Sequence, residues 1–311
     1  MVAVLYNNIF REGGNVEYFK PLDRQKGIQF IVFITLLCDI LIILGSIYLD
    51  DYVLNIFLRA FLIVFNIYQI YHIAVFATLN YAMDKDNFYI ITFGGIKKVI
   101  LPFSDMERYI KSGGDINAIR LSGYGKKNFV IGKCFFKKIG LVNMYVTSSK
   151  NIFYLKNNYG VYGISPSNFE RVEENLISKD IFIGDWYAKV NKSVNLYKDK
   201  HFIVPLIISV LIIVFFTMRP AILYYKGLLP SSMPLSFNIK FQPTIIGTSR
   251  DFLFKQMSYG AFNTAILLCM YFAAHFSAKH HKKSSYKYLY ISLVIALIFF
   301  LIQEKILSKV I

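Results

Sequence analysis

Apolar residues gather in five long runs separated by more polar text. The first covers about 28–49 and is broken inside only by Asp39 and small polar residues. The others cover about 53–79, 202–218, 259–278 and 288–307. Each approaches or exceeds the ~20 residues that span a ~30 Å hydrocarbon core, so the pattern predicts five transmembrane helices. The third is the shortest and carries Pro205 near its start, where a first-turn proline is tolerated. The first is expected to stay as an anchor rather than act as a cleavable leader. It is longer than a secretory h-region and follows a long segment holding Arg11, Lys20, Arg24 and Lys26.

Between the second and third runs the period changes. Asn87 to Phe93 is aromatic and β-branched, and Gly94-Gly95 follows as a hairpin turn before Ile96 to Leu101 resumes. Further strands are expected at Asn128 to Lys137, Leu141 to Thr147, Asn151 to Lys156 and Tyr159 to Ile164. In the second of these, Val142, Met144 and Val146 share one face. The spacing then becomes helical. Ser167 and Glu170 form an expected capping box, followed by Phe169, Val172 and Leu176 on one stripe. The segment therefore reads as antiparallel strands closed by one amphipathic helix.

Composition fits this division. Of 311 residues, 55% are hydrophobic and 17% charged, with a net charge of +16. Soluble domains carry about 25% charged residues. The mean hydropathy of +0.45 also excludes a disordered chain. Cys38, Cys134 and Cys269 lie too far apart for a disulfide framework or a zinc motif and are expected to be small buried hydrophobes. Residues 82–200 hold 19 Lys and Arg against 11 Asp and Glu.

Orientation follows from the short links. Asp50 and Asp51 occupy the first, whereas Lys279, Lys282, Lys283 and Lys287 occupy the last, with no acid. The positive-inside rule then puts the N-terminus and residues 82–200 inside and the C-terminus outside. Arg219, Lys226, Lys240, Arg250 and Lys255 pull the other way, from a longer loop.

Gly132-Lys133 to Phe136, Gly140-Leu141, Met144 to Thr147, Ile152 to Leu155 and Tyr162 to Pro166 occur in an order that resembles the bacterial pleckstrin-homology (PH) domains. The resemblance covers about 84–178 and implies a bent antiparallel β-barrel capped by a C-terminal helix. It also implies a binding or scaffolding module in a bacterial plasma membrane. Only Lys97 and Lys98 flank the first hairpin, so inositol-lipid recognition is not carried over. Lys126, Lys127, Lys133, Lys137 and Lys138 are candidate contacts to anionic lipid, each worth on the order of 1 kcal/mol near a charged surface. Their alternative is ordinary solvated loop charge.

The segment after the third run contains Pro230, Pro234, Phe237, Asn238, Pro243 and Gly247. The prolines fix an extended chain, and Asn238 and Gly247 suit turns. Over about 220–275 this is similar to a short domain of unknown function in bacterial membrane proteins, among them immunity proteins against a sporulation-delay killing peptide. Ser236, Phe241 and Thr244 depart from that pattern, where His, Gly and Asp are usual. The expected fold is thus an α+β membrane protein. Residues 1–27 form a cytoplasmic N-terminal segment and 28–80 a helical hairpin. A PH-like domain at 82–180 and a juxtamembrane linker at 181–200 follow. The remainder, 201–311, is a membrane region with an extracytoplasmic loop at 219–258.

Ionisable groups within a span are costly and suggest function. Asp39 and Arg59 are each about ten residues from the first turn, and an Asp39–Arg59 pair is expected. Asn55, Arg59, Asn66, Gln69 and His72 share one face of the second span, which must meet protein or water. Inter-helix adhesion is the plainer role and a substrate or proton path the sharper one.

No nucleophile elbow, paired-His motif, phosphate loop or dinucleotide fingerprint is found. His275, His280 and His281 have no acid or Cys beside them and read as interface residues. Trp186 suits a membrane surface. No cofactor, metal or nucleic acid is expected. The favoured reading is a non-enzymatic protein of the cell envelope with a protein or peptide partner, serving regulation or protection. Immunity against a peptide toxin is its narrowest form. A transporter or channel subunit using the polar face of the second span is the alternative, and a membrane enzyme stands behind it.

Overall fold

The computed structural model describes residues 16–48, 52–187, 195–238 and 241–310. Arg11, Asp50, Asp51 and Lys240 lie outside these. The described residues fall into two compact units, one within Met1–Ile40 and Leu62–Val190, the other within Leu41–Phe61 and Asn191–Ile311. Helices α1 (Arg24–Tyr48) and α2 (Tyr52–Thr78) each contribute to both.

In the first unit, β1 (Glu17–Phe19), β2 (Asn80–Met83), β3 (Asn87–Thr92) and β4 (Lys97–Pro102) form an antiparallel sheet in that order. A second sheet has the order β5-β9-β10-β8-β7-β6. Its strands are β5 (Met106–Ser112), β6 (Ile119–Lys126), β7 (Phe129–Phe136), β8 (Gly140–Val146), β9 (Ile152–Asn157) and β10 (Gly160–Ile164). The expected closed antiparallel barrel is therefore corrected on two counts. The strands form two separate sheets, and β8 pairs with β10 in parallel. The N-terminal segment also enters the fold. β1 pairs with β2, and Leu22 N–H donates to the Ser165 carbonyl at 2.9 Å.

Tyr81, Phe88, Tyr109, Phe153 and Ile164 fill the main core with Val172 and Leu176 of helix α3 (Phe169–Ile177). Phe169 stacks on Phe153 with ring centres 3.9 Å apart. The expected capping box is displaced by one residue: Asn168 is the N-cap, and its side chain accepts from Arg171 N–H. At the base of the helical hairpin, Arg24 donates to the Ala77 and Leu79 carbonyls and to Asn80, at 2.8, 2.6 and 2.9 Å. Gly27 lets Phe76 approach so closely that a Cβ there would lie 2.7 Å from the ring.

The second unit holds α4 (Lys200–Tyr225), α5 (Ser249–Ala278) and α6 (Lys282–Val310), all longer than their apolar runs. The expected loop 219–258 contracts accordingly. The helices extend because their ends are capped. Asp199 accepts from His201 N–H, and Thr248 and Asp251 form a capping box. Gln303 donates to the Phe216 carbonyl at 2.9 Å and to Gln256 at 3.1 Å, and Arg219 pairs with Glu304. Between α4 and α5 lies a hairpin of β11 (Ser232–Phe237) and β12 (Pro243–Thr248). Asn238 is in its turn, accepting from Gln242 N–H at 2.9 Å. Gly247 is not in a turn: it pairs with Met233 within the ladder. Pro243 opens β12, the place in a strand where a missing N–H costs least. Phe237 stacks on Phe241 at 4.5 Å.

Among the described residues, five of the six helices, α3 excepted, are long and apolar enough to cross a membrane. Phe33, Leu36, Ile40 and Leu41 of α1 and Ile63, Val64 and Ile67 of α2 are exposed. Such continuous apolar faces suit lipid contact and are compatible with a multi-pass membrane protein.

Candidate functional site

The six-stranded sheet is apolar on both faces. One packs on the main core. The other carries Val142, Met144 and Val146 of β8, with Val130 and Cys134 of β7, Ile152 and Tyr154 of β9, and Ile116. The alternation along β8 produces this directly, since every second residue is buried. Among the described residues no helix is packed over this second face. Val142, Met144, Val146 and Ile152 are fully buried, and beside them Ile116, Val130, Cys134 and Tyr154, with the half-buried Ile110, Ala118, Ile119, Phe136 and Ile139, floor a groove of about 1340 Å³, walled by Phe30 and Ile34 of α1 on one side and by residues 185–187 on another. The floor is thoroughly apolar. Burial pushes the Cys134 thiol up to about 12 and raises the Tyr154 phenol as well.

The rim is basic. Lys111, Arg120, Lys126, Lys127, Lys137 and Lys138 line the groove, with Asp185 as the acid among them. Lys111 is engaged with Glu173 and lies over the Phe169 ring. Arg120 donates to the Gly125 carbonyl. Lys126 sits 5.0 Å from the Phe30 ring centre, and Lys127 is 3.7 Å from Asp115 with both side chains exposed. Lys137 and Lys138 are exposed in the β7–β8 turn and make no ion pair among the described residues. Four of the five lysines read from the sequence as anionic-lipid contacts thus converge on one groove. Lys133 does not. It follows Gly132 on β7 out of phase with Cys134, so it belongs to the opposite face.

Trp186 forms part of the wall, half-buried against the floor cluster. Its indole N–H is buried without an acceptor. Buried Trp N–H groups usually find one. Neither this role of Trp186 nor the parts of Ile116 and Arg120 were legible in the sequence, because they come from irregular or weakly patterned text.

The intramembrane polar residues divide. The Asp39 carboxylate accepts from Asn66 Nδ2 at 2.9 Å, so the expected Asp39–Arg59 pair is replaced by Asp39–Asn66. Ser46 bonds to Asn55 across the same hairpin. Arg59 lies seven residues nearer the tip, roughly two turns away, and is exposed. Gln69 and His72 are both buried. The His72 ring is 4.5 Å from Tyr68 and 5.7 Å from Tyr124 of β6, and Tyr68 donates to the Gly123 carbonyl at 3.1 Å. This part of the polar face of α2 therefore meets the β6–β7 hairpin.

Elsewhere, Cys38 is half-buried and Cys269 exposed, unlike the buried Cys134. Their exposure on apolar helices departs from the expected burial. His275 packs among Tyr197, Phe202 and Tyr271. Among the described residues no three His, Cys, Asp or Glu side chains converge to hold a metal. Pro234, Phe237, Phe241 and Pro243 line a smaller hollow of about 280 Å³ beside Ile306 and Lys309, whereas Pro230, Asn238 and Gly247 do not line it.

Comparison with known proteins agrees with the sheet-rich unit. The family model described as Bacterial PH domain matches residues 79–180. An uncharacterised protein of Clostridium acetobutylicum is 41% identical over 294 residues, covering 94% of this chain and 98% of its own. No solved structure matches the chain. Residues 79–180 match the bacterial PH domain family, and the chain belongs to the family of that clostridial protein.

Proposed function

We propose that this is a membrane-anchored binding protein rather than an enzyme, whose PH-like domain works at the inner surface of the bacterial plasma membrane through its basic groove. The carrying observation is the placement of that groove. Its apolar floor and lysine rim adjoin Phe30 and Ile34 of a helix fit to enter the bilayer. A domain stapled to the hairpin through Arg24 and the Phe76–Phe129 edge contact is held at a fixed depth. The role is regulation or protection of the cell envelope, with resistance to a membrane-active peptide as its narrowest form. The alternative of a transporter using the polar face of α2 has less support. Asn66 is engaged by Asp39, and Gln69 and His72 are buried.

The test is genetic. Deleting the gene should sensitise cells to envelope stress or to killing peptides. The wild-type gene should restore survival, and a Lys126→Gln, Lys127→Gln, Lys137→Gln, Lys138→Gln variant present at equal level in the membrane should not. Unchanged survival of the deletion across such a panel overturns the proposal.

A further inference from the structure

We infer that the groove holds one anionic lipid molecule, its acyl chain on the apolar floor and its charged headgroup among the rim lysines. The inference rests on the reading of the groove as the binding surface and names the chemistry of its occupant. Three observations carry it.

The first is amphipathy. A sheet face of Val, Ile, Met, Cys and Tyr is ordinarily covered by another layer. Here its centre, Val142, Met144, Val146 and Cys134, is covered, but Ile110, Ala118, Ile119, Phe136 and Ile139 beside it stay half-exposed in the groove. A ligand that buried only charge would leave that floor wet, and a wholly apolar one would leave the rim unanswered. The volume, about 1340 Å³, exceeds what a headgroup alone occupies.

The second is charge complementarity. Of the six cationic side chains on the rim, Lys111 is paired with Glu173 and Lys127 lies near Asp115, whereas Lys137 and Lys138 have no ion pair among the described residues. The buried Trp186 N–H lacks an acceptor, which a phosphate or ester oxygen would supply.

The third is depth. Ile34 lies fourteen residues before the end of α1 at Tyr48, about 21 Å along the axis at 1.5 Å per residue. With the hairpin tip at one face of a ~30 Å hydrocarbon core, Ile34 is still within the opposite leaflet. Phe30 then lies near that leaflet's boundary. The groove wall thus enters the layer where acyl chains are, and a lipid can slide in from the side.

Trp186 is the single tryptophan of the chain and reports on the groove. The full-length protein is reconstituted in phosphatidylcholine vesicles with increasing mole fractions of phosphatidic acid, and Trp186 emission is followed. A saturable change at a few per cent of anionic lipid is expected, on the order of a thousandfold weaker in the quadruple Lys→Gln variant. Ala118 is half-buried in the groove lining, and Ala118→Phe, which adds bulk there without changing charge, should also weaken it while leaving the melting curve in place. Three results would overturn the inference. They are no response, an equal response to inorganic phosphate in neutral vesicles, or a response that Ala118→Phe leaves untouched. Should lipid binding survive while the genetic test fails, the site stands and its link to envelope protection falls. The reverse outcome retains the binding surface but removes the lipid.

Discussion

Gly132 and Gly123 face each other across β6 and β7 with φ of +140° and +91°. A Cβ on Gly132 would lie 2.2 Å from the Ser122 carbonyl oxygen and 2.6 Å from Gly123 Cα. Backbone cannot yield as a flexible side chain can, so Gly132→Ala meets both a forbidden conformation and a clash. Strain of this kind costs roughly 1–3 kcal/mol before the clash is counted. The variant should unfold the PH-like domain several degrees earlier, followed by Trp186 emission in the intact protein. A melting temperature equal to wild type would show that these strands separate without cost. Asp39 makes a related point. Its neighbour was misjudged because counting from the chain turn gives depth only to within a turn or two. Which polar residue of that face meets Asp39 depends on how α2 is rotated against α1, and a depth count does not carry that.

At the scale of elements, capping decides where helices end, and Asp199 shows how. It caps α4, pairs with Lys282 at the start of α6 at 2.7 Å, and accepts from Tyr286. The hydrogen bond from Lys282, then that from Tyr286, hold its carboxyl down to about 2. The unfolded value is about 3.9. A carboxyl with a depressed folded pKa adds stability that is complete above the unfolded pKa and is lost as pH falls through the folded one. The melting difference between wild type and Asp199→Asn should therefore be constant from pH 7 to 5, shrink below about pH 4 and vanish towards pH 2. A difference that stays flat across that window would mean the carboxylate charge does not hold the two helices together. The elements most legible in the sequence were those with strong periods. All five long helices were found, as were β8 with its alternating burial and the amphipathic α3. β1, β2, β5 and β6 were not. β1 and β2 are too short to show a period, and β5 and β6 carry Glu107, Arg108, Lys111 and Arg120 in exposed positions. The lysine rim was readable because its residues are close in sequence. The floor needed Ile116, Tyr154 and Trp186 brought together from afar.

For the whole chain the five-span reading makes a prediction of sidedness. If α4 and α5 both cross a membrane, the PH-like domain and the 279–287 segment share a side. That side holds Lys279, Lys282, Lys283 and Lys287 near span ends with no acid among them. On the other side, Arg219 is neutralised by Glu304 within the helices. Lys255 donates to the Leu235 carbonyl at 2.6 Å, and Asp251 offsets Arg250. Lys226, Lys305 and Lys309 remain on that side, so the prediction of the PH-like domain inside rests on the acid-free lysine cluster at 279–287, by the positive-inside rule. The prediction is made in a protein with Cys38, Cys134 and Cys269 replaced by Ala, carrying one new cysteine at a time. Ser231→Cys, before β11, should react with a membrane-impermeant maleimide in intact cells. Tyr159→Cys, in the exposed β9–β10 turn, and Lys283→Cys should react only after the cells are opened. The inverse pattern would reverse the orientation and with it the leaflet that the groove meets. A split between Tyr159 and Lys283 would instead remove one of the two spans between them, and the five-span reading with it.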